Sequence, residues 1–106
     1  AFLDLRLNKL TSLPTEIGLM TSLTWLHVGG NELSAVPSEM VNLTGLARLF
    51  LNDNQLTGVP TEFRTFNPSG TCELYNNPPD FSCANVGFGT SCCTTGNCGD
   101  TSTCYG

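Results

Sequence analysis

The chain is 106 residues long, 40% hydrophobic and only 12% charged, and four basic against nine acidic residues leave a net charge of −5. That balance excludes a nucleic-acid footprint, because Arg6, Lys9, Arg48 and Arg64 are too few and too scattered to neutralise a phosphate backbone. No apolar run approaches the ~20 residues that cross a bilayer, so this chain carries no transmembrane segment, and its length suits one small globular unit.

In chain order, the first unit is Leu3-x-Leu5-x-x-Asn8-x-Leu10-x-x-Leu13-Pro14. It recurs as Leu23-x-x-Leu26-x-Val28-x-x-Asn31-x-Leu33-x-x-Val36-Pro37. A third copy, 23 residues further on, is Leu46-x-x-Leu49-x-Leu51-x-x-Asn54-x-Leu56-x-x-Val59-Pro60. Glu16, Glu39 and Glu62 align in the same register, as do Ile17, Met40 and Phe63, then Met20, Leu43 and Phe66. A weaker fourth copy keeps Cys72, Leu74 and Asn77 but has Ser69 and Pro79 where leucines stood, so the array is ending there. This periodicity predicts an α/β solenoid, a short leucine-rich-repeat array of about 3.5 units of 23 residues with a parallel sheet on its concave side. The opening unit lacks its first leucine, so the chain is expected to be part of a longer array or a matured product, with any leader removed or upstream.

Each Leu-x-Leu pair supplies a short strand whose alternate residues point inward, and consecutive strands pair in parallel about 4.8 Å apart. Strands are expected near residues 2–6, 25–29, 48–52 and 72–75. The column Asn8, Asn31, Asn54, Asn77 falls where the chain leaves the strand, and its amides can satisfy loop backbone groups that the ladder leaves unpaired. Pro14, Pro37 and Pro60 fix the return segments, and the spacing of three in Ile17/Met20, Met40/Leu43 and Phe63/Phe66 suits short helical or 3₁₀ turns on the convex side. The aligned glutamates lack a ligand-rich loop and are better explained as solvated convex acids than as a calcium stripe.

Residues 1–71 form the repeats; residues 72–106 form the degenerate last repeat and a cysteine-rich C-terminal cap. All six cysteines, Cys72, Cys83, Cys92, Cys93, Cys98 and Cys104, crowd into this tail, where large apolar residues thin out. Such a segment buries little and is expected to rely on disulfides formed in an oxidising compartment. Adjacent Cys92 and Cys93 would close a strained ring with each other, so each should pair elsewhere. Cys72 with Cys83 is the favoured first bridge, and Cys92 and Cys93 share Cys98 and Cys104 in an order left open. A zinc knuckle is disfavoured because Cys93-x4-Cys98-x5-Cys104 lacks a Cys-x2-Cys pair and the single histidine, His27, lies far back in the array. No metal or cofactor is expected. Asn42-Leu43-Thr44 is the usable glycosylation acceptor, since Asn67-Pro68-Ser69 is blocked by its proline.

The repeat phrase from Leu10 to Phe63, together with the tail from Ser69 to Cys98, resembles the secreted or cell-surface leucine-rich-repeat proteins of diatoms and related stramenopiles, which are themselves similar to plant extracellular repeats. The resemblance covers almost the whole chain. Where plant repeats carry a Gly-x-Ile-Pro step, this sequence has Ser12-Leu13-Pro14, Ala35-Val36-Pro37 and Gly58-Val59-Pro60, which puts in doubt the second sheet typical of plant repeats. The resemblance implies a noncatalytic recognition or scaffold role in a secreted or extracellular protein and names no ligand.

The outward columns carry the functional signal. They hold Phe2, Trp25, Arg48 and Thr71, then Asp4, His27, Phe50 and Glu73, then Arg6, Gly29, Asn52 and Tyr75. Aromatic and arginine side chains dominate interface energetics, and here they cluster where the fold does not require them. A protein partner is therefore expected on Phe2, Asp4, Trp25, His27, Arg48, Phe50, Asn52, Glu73 and Tyr75, with Trp25, Phe50 and Arg48 as anchors. Asp4 and His27 share a column and could form a carboxylate–imidazole contact, but no nucleophile joins them, so the chain is not expected to be an enzyme. Four strands make a strip only about 20 Å wide, on the order of a few hundred Å², smaller than a stable interface of about 800 Å² per partner. The alternative is therefore an accessory structural subunit of a large complex on an oxidising lumenal side, for example at a photosynthetic membrane in the thylakoid lumen.

Overall fold

The computed structural model describes residues 1–58, 60–64, 72–74, 76 and 77. Four short strands, β1 (Phe2–Asp4), β2 (Trp25–His27), β3 (Arg48–Phe50) and β4 (Cys72–Glu73), form one parallel sheet in sequence order. Its register is that of the repeat, with Leu3 opposite Leu26, Leu26 opposite Leu49, and Leu49 opposite Cys72.

The strands start where the leucine pattern places them and end about two residues earlier than expected. The inter-unit ladder nevertheless runs on: the Leu5 N–H donates to His27 O at 2.8 Å and the Leu7 N–H to Gly29 O at 3.0 Å. The next pair of units repeats this with Val28 to Phe50 O and Gly30 to Asn52 O. What ends the regular strand is a backbone reversal built into every unit. Leu7, Gly30, Asp53 and Asn76 all have φ between 55° and 70° and lie 23 residues apart. Gly, Asp and Asn tolerate this left-handed conformation, and Leu does not. Leu7 also stands 81% exposed, so its side chain gains little by packing.

The asparagine that follows each reversal does what its column predicted. Asn54 Nδ2 donates to Val28 O, Leu51 O and Asn52 O, all at 3.1 Å, while its Oδ1 accepts the Leu33 N–H at 3.1 Å. Asn31 spans its units in the same way, from Leu5 O and Val28 O to the Leu10 N–H. Asn77 reaches Leu51 O, Leu74 O and the Leu56 N–H. Each amide thus clamps the carbonyls where two successive units leave the sheet.

On the convex side, 3₁₀ turns η1 (Thr15–Leu19), η2 (Ser38–Asn42) and η3 (Thr61–Arg64) follow Pro14, Pro37 and Pro60. Gly18 sets the approach of η1 to η2, since a Cβ there would lie 2.5 Å from the Glu39 carbonyl oxygen. Between the two layers lies a continuous apolar core that includes Leu23, Leu26, Leu33, Leu46, Leu49, Leu56 and Phe63. The first unit completes it only partly, with Leu3, Leu5 and Leu10 half-buried. Met20 departs from its column: it is 39% exposed where Leu43 is buried, because among the described residues no unit stacks outside η1. Phe66, Thr71 and the cysteines other than Cys72 fall outside the described residues, and so do all the expected disulfide pairings, Cys72 with Cys83 included. Asn42 lies exposed at the end of η2, on the convex side.

Candidate functional site

The outward residues of β1 to β3 form a contiguous ring cluster. Phe2 stacks on Trp25 with centroids 4.0 Å apart and planes 15° apart, and His27 stacks on Phe50 at 4.6 Å and 18°. The Trp25 ring joins the two pairs, lying 5.5 Å from both the His27 and Phe50 centroids in tilted geometry. Parallel pairing alone brings these residues together, because equal positions in successive units stand side by side on the sheet face. Offset and tilted ring pairs of this kind contribute about 0.5–1.5 kcal/mol beyond their burial. The cluster is therefore largely pre-formed rather than four independent side chains. Phe2 remains 65% exposed, and Trp25, His27 and Phe50 are half-buried.

Around the rings, Arg48 is exposed in register with Trp25, and Glu73 is half-buried in register with Phe50. Tyr75 lies outside the described residues. Asp4 and His27 are in register as the sequence suggested, yet they form no pair. Asp4 instead binds Arg6, with its Oδ2 3.1 Å from Nε and its Oδ1 accepting the Arg6 backbone N–H. The His27 ring turns to Phe50, and its Nδ1 accepts the Gly29 N–H at 3.1 Å. That contact requires Nδ1 to be unprotonated.

Burial of the ring lowers the His27 pKa from 6.5, Arg6 pushes the same way, and Asp4 and Glu73 oppose them. The folded chain therefore binds the proton less readily than the unfolded one, so this group contributes stability above pH 6.5 and loses it as pH falls through the folded pKa. Thermal melts from pH 7.5 to 5 should show the wild-type chain losing more stability than His27→Gln does. Parallel losses in the two proteins would assign the acid sensitivity to other groups.

Below the rings the sheet face opens into a hollow of about 440 Å³ lined by Arg6, Leu7, His27, Gly29, Gly30, Asn52 and Asp53. It exists because Gly29 has no side chain between Arg6 and Asn52 in the third outward column. Asn52 is buried, donates from Nδ2 to Asp53 Oδ2 at 2.6 Å, and leaves its Oδ1 without a partner among the described residues. Asp53 Oδ1 accepts a second amide, Asn76 Nδ2, at 2.8 Å. Gly30, Asp53 and Asn76 were not among the residues expected at the site. Their signal was available as a Gly, Asp, Asn column immediately before the asparagine column.

Among the described residues no group of three or more histidine, cysteine or acidic side chains could hold a metal ion, and no helix is long and apolar enough to cross a membrane.

A four-stranded parallel sheet in sequence order, backed by 3₁₀ turns and presenting a pre-formed ring cluster on its outward face, is the architecture of a repeat solenoid. The chain belongs to the leucine-rich-repeat family, whose family model, described as leucine rich repeat, matches residues 2–56. That family is generally a noncatalytic protein-interaction module. No curated protein matches the sequence. Among solved structures, the chain is similar to a leucine-rich-repeat protein of Leptospira interrogans, with 36% identity, a TM-score of 0.66, and 74% of this chain covered. It is also similar to the BIR2 ectodomain from Arabidopsis thaliana, with 26% identity, a TM-score of 0.59, and 81% covered. A chain of the Arabidopsis thaliana BIR3–SERK2 complex gives 26% identity, a TM-score of 0.61, and 92% coverage. The present chain spans 20% of the Leptospira protein and 53% and 60% of the two plant chains.

Proposed function

We propose that this chain is a noncatalytic recognition or scaffold module whose concave face binds a protein partner, as part of a secreted or cell-surface leucine-rich-repeat protein. The observation that carries this reading is the cluster Phe2, Trp25, His27 and Phe50. Its rings gather across three strands on the face away from the aliphatic core, so stacking of the repeats does not require them. Large aromatic groups held in place before binding lose little freedom on contact, and with Arg48 beside Trp25 they have the make-up of an interface centre. Asp4, Asn52 and Glu73 would supply polar contacts beside them, with Tyr75 proposed as a further contact from its sequence position.

An extracellular setting is supported by the ectodomain among the similar structures and by Cys72, which is disulfide-bonded. In this reading, residues 72–106 close the array as a disulfide-bonded cap, and Asn42 is a glycosylation acceptor on the side away from the partner. The lumenal accessory-subunit alternative gains no support from the similar structures.

Affinity for the protein that co-purifies with the native chain tests the face directly. Trp25→Ala and Phe50→Ala should each weaken binding by about 2 kcal/mol or more, and Glu39→Ala on the convex side should change it by less than about 0.5 kcal/mol. Equal, small effects from all three would remove the concave face as the contact.

A further inference from the structure

Among the described residues, the hollow over Gly29 is lined by one acceptor without a donor, Asn52 Oδ1, and one carboxylate without a counter-charge, Asp53. Nothing among them donates to Asn52 Oδ1, which is buried in a side chain only 7% exposed. Its orientation is fixed chemically, because turning the amide over would aim an oxygen at the Asp53 carboxylate that Nδ2 now meets at 2.6 Å. Asp53 is held at both oxygens by neutral amides, Asn52 Nδ2 and Asn76 Nδ2, and among the described residues no cation pairs with it. Two amides fix the carboxylate in space but leave its charge uncompensated. Among the described residues, the one cation lining the hollow, Arg6, is committed to Asp4 at 3.1 Å. Glu73, half-buried in register with Phe50, adds a second carboxylate on the same face, and the chain as a whole carries a charge of −5.

A buried acceptor without a donor carries an uncompensated desolvation cost, so a group that supplies a donor to Asn52 Oδ1 recovers that cost on binding. A carboxylate entering the hollow would face Asp53, and an aliphatic group would leave Asn52 Oδ1 unsatisfied. A positively charged donor answers both acceptors, and the stacked His27 and Phe50 rings beside the hollow offer aromatic surface to a cation. The volume of about 440 Å³ falls within the range of clefts that take small groups.

We propose that the hollow over Gly29 receives a basic side chain, arginine or lysine, from the protein partner, with Asp53 as its counter-charge and Asn52 as a second acceptor. This rests on the concave-face reading and adds to it the chemistry of one contact: the partner should present a basic residue next to the part that covers Trp25 and Phe50.

The probes are the blocked tripeptides acetyl-Gly-Arg-Gly-amide, its lysine form, and the glutamine and glutamate forms, titrated into the ¹⁵N-labelled 106-residue chain and followed by amide shifts. The arginine and lysine peptides should move the Gly29, Gly30 and Asn52 signals. The glutamate peptide should not, and the glutamine peptide should bind more weakly. Asp53→Asn, which keeps an amide-sized group in a backbone conformation that asparagine tolerates, should weaken the basic peptides about fivefold, as expected for a partly exposed ion pair. Shifts of equal size from the glutamate or glutamine peptide, no shift from the basic ones, or undiminished binding to Asp53→Asn would each overturn the assignment. The concave-face reading fails separately, when Trp25→Ala and Phe50→Ala leave partner affinity unchanged; full sensitivity there with a silent hollow would sink only the basic-residue contact.

Discussion

Replacing Asn54 with Ala is expected to destabilise the fold by about 3 kcal/mol, an effect large for a polar side chain, because one amide answers four backbone groups. Its loss strips the donor from Val28 O, Leu51 O and Asn52 O and the acceptor from the Leu33 N–H, in a site where the asparagine is only 3% exposed. Water cannot replace these bonds without opening the turn. Asn8 provides the internal control: it is exposed, donates only to Leu5 O and Arg6 O, and clamps no neighbouring unit, so Asn8→Ala should cost less than about 1 kcal/mol. Asn54→Asp sharpens the test. An ionised carboxylate keeps the Leu33 contact but turns against three carbonyls, so burial and repulsion should raise its pKa, and the variant should regain stability as pH falls through that raised value. Urea titrations of the three variants decide it, and comparable losses at positions 8 and 54 would disprove the clamp.

That column was legible in the sequence, and so was most of the frame. A strict period places equal positions side by side whatever the intervening residues are, so the strand starts, the parallel register and the buried leucines follow from spacing alone. Strand ends were less legible, because the left-handed reversal at Leu7, Gly30, Asp53 and Asn76 is a backbone property whose residue types vary, with a leucine at one position obscuring the pattern. The candidate site divides in the same way. Which residues share the concave face could be read from the period; which ring meets which could not, since that depends on side-chain rotamers. Asp4 illustrates the difference: its place opposite His27 was predicted, but its carboxylate turns along its own strand to Arg6, while His27 finds a better partner in the Phe50 ring. The hollow is not legible in the sequence for a related reason, since a missing side chain at Gly29 carries no chemical signal until its neighbours are in place.

The second large effect is expected at Leu49, where substitution by Ala should cost about 2–5 kcal/mol. Leu49 is fully buried and occupies the middle of the inward column, with Leu26 in register on one side and Cys72 on the other. Neither neighbour can close the gap, because each is tied to its own strand by the ladder and the sheet spacing of about 4.8 Å is set by backbone hydrogen bonds rather than by side-chain size. The lost methyl groups therefore leave a cavity as well as losing their transfer energy. Leu3 is the matched comparison in the same column: it is only half-buried in β1, so Leu3→Ala removes less buried surface and opens no closed cavity. Its cost should fall below that of Leu49→Ala by about 1 kcal/mol or more. Because units of a solenoid support only their neighbours, the central substitution should also lower the cooperativity of unfolding, with strands on either side of β3 melting apart. Chemical denaturation monitored by Trp25 fluorescence in β2 tests both points. A loss at Leu49 no larger than at Leu3, with an unchanged denaturant slope, would mean that the inward column does not hold the units together.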